Sequence, residues 1–164
     1  MKIWEDLLQD IEKNIPSGAE CELKMMHSKS ALTRFANSQI HQNVDEESAD
    51  VFLTLHKDSK TITISTNLTA LRNPKDFVSR AIESLNNSPL DKGWAGLPES
   101  SQSFNGLSTI DESTPDERAN KVNDFVSQGK KMNAAGYCSS YINNYFVWNT
   151  NGLNSSDSSS SCLL

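Results

Sequence analysis

Leu32-Thr33-Arg34-Phe35-Ala36-Asn37-Ser38-Gln39-Ile40-His41-Gln42-Asn43-Val44 decides how this 164-residue chain is read. Its apolar residues, Leu32, Phe35, Ile40 and Val44, fit no helical period. They read instead as two short strand arms about a polar turn at Asn37-Ser38, because Asn tolerates a positive φ and bonds its own backbone. A surface loop has no need of so many amide side chains beside an arginine and a histidine. The hairpin is therefore the candidate functional face, with Arg34, Asn37, Gln39 and His41 as its candidate residues.

Working outward toward the N-terminus, Ala19 to His27 alternates, with Cys21, Leu23 and Met25 on one face. Before it, Ile3 to Ile15 carries Ile3, Trp4, Leu7, Leu8, Ile11 and Ile15 at spacings of three and four, the stripe of an amphipathic helix. Pro16-Ser17-Gly18 stops it. On the other side, Ser48 to His56 and Thr61 to Thr66 are strands about the polar turn Lys57-Asp58-Ser59-Lys60. Five short strands in this first half predict an antiparallel meander with one solvated face.

Further on, Asn73-Pro74 opens a second helix, since Asn caps well and Pro at the first helical position loses no hydrogen bond. Phe77, Val78, Ala81, Ile82 and Leu85 form its buried stripe. Leu90 to Ser113 has no period, and Trp94 within it is expected to plug a hydrophobic notch rather than stack on a ligand. Thr114-Pro115-Asp116-Glu117 is a capping box, followed by an apolar stripe of Ala119, Val122, Phe125 and Val126. Asn133 to Cys138 and Tyr141 to Trp148 are strand regions, and Asn149-Thr150-Asn151-Gly152 is a turn. The Ser-rich end, 154–164, is a tail or a truncated strand. The expected fold is α+β: an antiparallel sheet of about five or more strands with three helices, near residues 3–15, 73–87 and 114–130. The expected domain runs over 1–153.

Composition excludes several classes. Net charge is −6 and the pI is about 5.0, so no basic nucleic-acid footprint exists and no nucleic-acid partner is expected. No apolar run approaches the roughly 18 residues of a membrane span, and none is expected. Cys21, Cys138 and Cys162 are widely spaced and read as thiols in a reducing compartment, with the cytoplasm as the default. His27, His41 and His56 lack the i, i+4 spacing of a helical zinc site. Asp45-Glu46-Glu47 and Asp111-Glu112 read as solvated loop charge. No nucleophile elbow or phosphate loop occurs. The residues alone give no catalytic site and no metal site.

Thr33 to Asn43 resembles the N-terminal signature of the TldD/PmbA family, the modulator-of-gyrase proteases. Other stretches follow in the family's order: the Val51–Leu55 and Thr61–Thr66 strand pair, the helix from Asn73, Trp94-Ala95-Gly96-Leu97-Pro98, Thr114 to Ala119, Ala134-Ala135-Gly136-Tyr137, and Asn149 to Leu153. The resemblance covers about Ser30 to Leu153, and the stretch from Tyr137 to Leu153 leans toward the TldE/PmbA-type subunit. It implies a cytosolic zinc metallopeptidase acting on unfolded or leader peptides, with a second TldD/PmbA-family subunit as heterodimer partner.

The family's H-E-x-x-x-H metal motif, with its distant cysteine, is absent here. No zinc ligand carries over, and Cys162 does not match that cysteine. The implied zinc belongs to the family's catalytic subunit. The Cys-Leu-Leu ending suggests that the sequence is an N-terminal portion of a longer chain. Under this resemblance Arg34, Asn37, Gln39 and His41 line a peptide path or meet the partner. Their polar side chains could equally satisfy only local backbone. The other function class that stays open is a non-catalytic module binding a peptide or protein by strand addition.

Overall fold

The computed structural model describes residues 2–99, 113–129 and 132–164, with side chains from Trp4 onward. Helix α1 (Lys2–Glu12) is followed by strands β1 (Glu20–Ala36), β2 (Gln39–Lys57) and β3 (Lys60–Asn67). After a single 3-10 turn come α2 (Pro74–Asn87), α3 (Pro115–Gln128), β4 (Gly136–Asn149) and β5 (Asn154–Leu163). The strands form one five-stranded antiparallel sheet in the order β3-β2-β1-β4-β5. The α+β expectation and the three helices hold. The Ser-rich run with Phe104 and the Asp111-Glu112 pair lie outside the described residues.

Strand number in the first half is corrected. The strand at Ala19–His27 and the first hairpin arm are one strand of 17 residues, and the second arm continues into Ser48–His56 as one of 19. Polar residues such as Ser28, Lys29 and Ser30 looked like breaks. They are not, because ladder hydrogen bonds come from the backbone, and a strand need not bury every side chain. The same reasoning merges the two regions near 133–148 into β4. The Ser-rich end is a strand rather than a tail.

Both early hairpins use the same turn. Asn37 and Ser38 have φ of 49° and 60°, and Asp58 and Ser59 have 51° and 59°. Two consecutive left-handed residues match the right-handed twist of the strands they join. The second turn leaves Lys57 paired with Lys60 and carries the register to Asp50 opposite Asn67.

The chain divides into two compact units. In the first, comprising Met1–Met26, Ala49–Asn105 and Tyr145–Asp157, the alternation read from the sequence holds. Cys21, Leu23 and Met25 of β1 and Val51, Leu53 and Leu55 of β2 are buried with Trp4, Leu7 and Ile11 of α1 and Phe77, Val78, Ala81 and Leu85 of α2. Each of the Val, Leu, Ile, Phe and Met side chains among them contributes roughly 1.5–3 kcal/mol on burial. Trp4 stacks on Phe146 with ring centroids 5.4 Å apart. Asn73 caps α2 by accepting from the Lys75 N–H at 3.0 Å, with Pro74 in the first turn.

Trp94 is only half-buried, and its slot is polar rather than hydrophobic. Its indole stacks on His56 at 4.6 Å and 7°, and its Nε1–H donates to Glu20. Buried Asn149 ties the same segment down. Its Nδ2 donates to the Pro98 carbonyl at 2.8 Å, and its Oδ1 accepts from the N–H groups of Asn151 and Leu153.

The second unit comprises His27–Ser48, Gly106–Asn144 and Ser158–Leu164. Its core is Phe35, Val122, Val126 and Cys138, with Ile40 and Ala134 packed on it. The capping box at Thr114 forms as expected. The buried face of α3 is turned from the expected one. Arg118, Val122 and Val126 are buried, whereas Phe125 is half-exposed. An inward arginine at i, i+4, i+8 with two valines is possible only because other groups accept from it, as described next.

Candidate functional site

The hairpin tip is fixed before its exposed side chains are considered. Inward-facing Thr33 and Phe35 are both buried. The Phe35 ring packs on Phe125 at 5.8 Å and lies over Gly136, where a Cβ would come within 2.9 Å of its Cζ. Ser38 donates its N–H to the Ala134 carbonyl at 2.9 Å and accepts from the Ala134 N–H through its hydroxyl at 3.2 Å. Thr33 Oγ1 donates to Asn43 Oδ1 at 2.8 Å. The turn is thus held from below by packing and from the side by two hydrogen bonds.

Arg34, Asn37, Gln39 and His41 all point to solvent around this held turn. His41 Nε2 lies 3.0 Å from the Ala36 carbonyl, so that nitrogen donates and the ring is tied to its own hairpin. The structure therefore gathers the four candidates at one tip. It gives His41 a local partner and leaves a polar, solvent-facing set of amide and guanidinium groups.

A second group in the same unit was read as loop charge and is not. Asp45, Glu46 and Glu47 lie on β2. Asp45 pairs with Arg118, whose side chain is 1% exposed. Arg118 Nη1 also donates to the Ser113 carbonyl at 2.8 Å, while its Nε has no hydrogen-bond partner among the described residues. Glu47 accepts from His27 Nε2 at 2.6 Å, and this contact first, then the charges of His27 and Lys29, holds its carboxyl below the usual range. These residues surround a cleft of about 360 Å³, lined by Lys29, Ser30, Asp45, Glu46, Ser140 and Arg118 among others. Only the polar composition of Lys29-Ser30 and Asp45–Glu47 hinted at it. Nothing local could assign Arg118 to it.

Neither buried cysteine offers a nucleophile. Burial pushes the Cys21 thiol up to about 12, with Glu22 and Glu12 adding to the shift. Burial also raises Cys138, assisted by its contact with Cys162. Among the described residues no group of three or more His, Cys, Asp or Glu side chains is arranged to hold a metal ion. His27, His41 and His56 are each engaged elsewhere, with Glu47, Ala36 and Thr61 respectively. The described residues do not form the zinc site that the resemblance implies for the catalytic subunit. Among the described residues, no helix is long and apolar enough to cross a membrane.

No protein-family model and no curated protein sequence matches the chain. Solved structures do. TldE from Thermococcus kodakarensis superposes with a TM-score of 0.80 at 17% identity over 98% of this chain. The chain has the fold of the part of TldE that it matches. A candidate modulator of a DNA gyrase from Thermotoga maritima matches this TldE-like fold at a TM-score of 0.75, 18% identity and 98% coverage. A second such protein, from Bacteroides thetaiotaomicron, matches at 0.72, 16% and 97%. This chain covers 37%, 37% and 38% of these three, a little over a third of their length. The fold likeness and the sequence resemblance thus lead to the same group of proteins.

Proposed function

We propose that this chain is the N-terminal part of a TldD/PmbA-family subunit, of the TldE/PmbA type, that serves a cytoplasmic zinc metallopeptidase without carrying its metal. Its work is to build the wall of the peptide chamber and meet a second family subunit. The observation that carries this reading is the match to TldE along 98% of the chain at a TM-score of 0.80, on top of motifs in the family's order. The hairpin tip is its working surface. Arg34, Asn37, Gln39 and His41 present donors and acceptors of no fixed sequence preference, which suits an extended, unfolded peptide or a partner's loop. The turn beneath them is clamped at Ser38–Ala134 and Phe35–Gly136, so the side chains are displayed from a rigid base.

The test uses the full-length subunit assembled with its partner. Arg34→Ala combined with His41→Ala should slow cleavage of an unfolded peptide, weaken assembly, or both. Unchanged turnover together with unchanged assembly would remove the hairpin from function.

A further inference from the structure

Two of the cysteines meet near the edge of the sheet. Cys138 lies on β4 and is buried, whereas Cys162 lies on β5 and is exposed. The two strands are neighbours, and β5 has no strand on its other side among the described residues. Their register is fixed at two points. The Asn149 N–H donates to the Leu153 carbonyl at 2.9 Å, and Ser158 Oγ donates to Asn144 Oδ1 at 2.8 Å. Continued along the pair, this register sets Cys162 opposite Ser140, two residues along β4 from Cys138. The cysteines are thus diagonal neighbours on the face that carries Asn144 and Ser158. Diagonal side chains in an antiparallel pair can reach each other. Here the two thiols are in contact.

We propose that Cys138 and Cys162 form a thiol pair that a disulfide oxidant of the glutathione type closes into a cross-strand disulfide. The proposal does not rest on the peptidase reading. Exposure sets the order of events. Cys162 is the sulfur that a solute can reach. Its thiolate attacks one sulfur of the oxidant, a mixed disulfide forms, and one oxidant thiol leaves. Cys138 is sealed from solutes, and burial disfavours its thiolate. It needs no reactivity toward solutes, because its target is the sulfur it already touches. It attacks the Cys162 sulfur, and the second oxidant thiol leaves as the internal bond forms. Two protein thiols lose two electrons, the oxidant disulfide gains them, and the two thiol protons pass to the two leaving thiolates. The charges of Arg118 and Lys121 oppose burial and favour the Cys138 thiolate that the second step requires.

A disulfide requires Cα atoms within roughly 7 Å, closer than most diagonal pairs. The end of β5 can supply the approach, since residues 161–164 are exposed and lie on an edge strand. The bond would tie this end to Cys138, which packs with Phe35, Val122 and Val126 beneath the hairpin. An exposed bond of this kind is readily reduced, so it follows the redox poise rather than acting as a fixed staple. Cys21 stays outside this chemistry, because it is buried and its thiol is pushed up to about 12.

The test incubates the reduced chain, dilute and at about pH 8, with oxidised glutathione, then unfolds, alkylates and digests it for mass spectrometry. The expected product is a monomer about 2 Da lighter, with one peptide pair linked through Cys138 and Cys162 and only Cys21 alkylated. Dithiothreitol should restore all three thiols. Cys138→Ala should stop at Cys162 carrying glutathione, and Cys21→Ser should close the bond as the parent does. Cys162→Ser should leave Cys138 reduced. Because Cys162 is exposed, this last variant tests the pair even if Cys138→Ala fails to fold. The proposal is overturned by a parent chain that stops at the glutathione adduct, by one that forms only dimers through Cys162, or by one that keeps its three free thiols.

Discussion

Gly136→Ala probes the joint on which the hairpin rests. An added Cβ would lie 2.9 Å from Phe35 Cζ and 3.3 Å from Cε1. The ring cannot simply swing away. It is 4% exposed and enclosed by Val122, Val126 and Cys138. Forcing a methyl group into such a core costs about 1–3 kcal/mol. An opposing effect acts in the unfolded chain. Gly136 does not adopt a positive φ, so alanine there recovers about 0.4–1 kcal/mol by restricting the unfolded state. The clash wins, with a net loss of about 1 kcal/mol.

Urea unfolding followed by circular dichroism reads this as a midpoint about 0.5 M lower at an unchanged slope of about 2 kcal/mol/M. Phe35→Leu supplies the control. Alone it leaves a void, but in the alanine background it also removes the clashing Cζ. The two changes should therefore be non-additive by about 1 kcal/mol in the favourable direction. An alanine variant as stable as the parent, or strict additivity of the pair, would refute the contact as the reason for glycine.

Two further outcomes test other joints. Asn149→Ala removes the Nδ2 bond to Pro98 and the two bonds its Oδ1 accepts, so stability should fall by about 2–3 kcal/mol, read as a lower urea midpoint. The carboxyls of Glu47 and Glu117 are both held low, the first by its bond from His27 and the second by the Thr114 N–H and hydroxyl. A depressed folded-state value means that their stabilising effect is complete above the unfolded carboxylate range, near pH 4, and is lost as pH falls through the lower folded values. A Glu47→Gln, Glu117→Gln double variant should therefore lose less stability than the parent on acidification, and an unchanged acid limb would contradict this.

What the sequence made legible follows from how far each signal reaches along the chain. Asn37-Ser38 and Asp58-Ser59 declare their turns locally, since positive φ is a property of two residues and their side chains. The Thr114 capping box closes within four residues, and the alternation at Cys21, Leu23 and Met25 within five. Strand length was misread because polarity was taken for a break, although a strand is bounded by where its backbone finds partners. The strand that β1 lies beside is far away in sequence, as the side-chain bond donated by Ser28 Oγ to Asn143 Oδ1 shows.

Arg118 shows the same limit at the candidate site. On helical spacing alone, Ala119, Val122, Phe125 and Val126 make the better apolar stripe, and an arginine belongs outside. The helix is turned the other way because Asp45, 73 residues earlier, and the Ser113 carbonyl accept from the guanidinium. Burial of a charge is stable only with such partners, and losing one partner typically costs 3–5 kcal/mol. The inward arginine thus ties α3 to β2. The hairpin residues could be nominated from the sequence because a turn displays them. The cleft could not, because its central residue becomes polar wall only when two distant stretches meet.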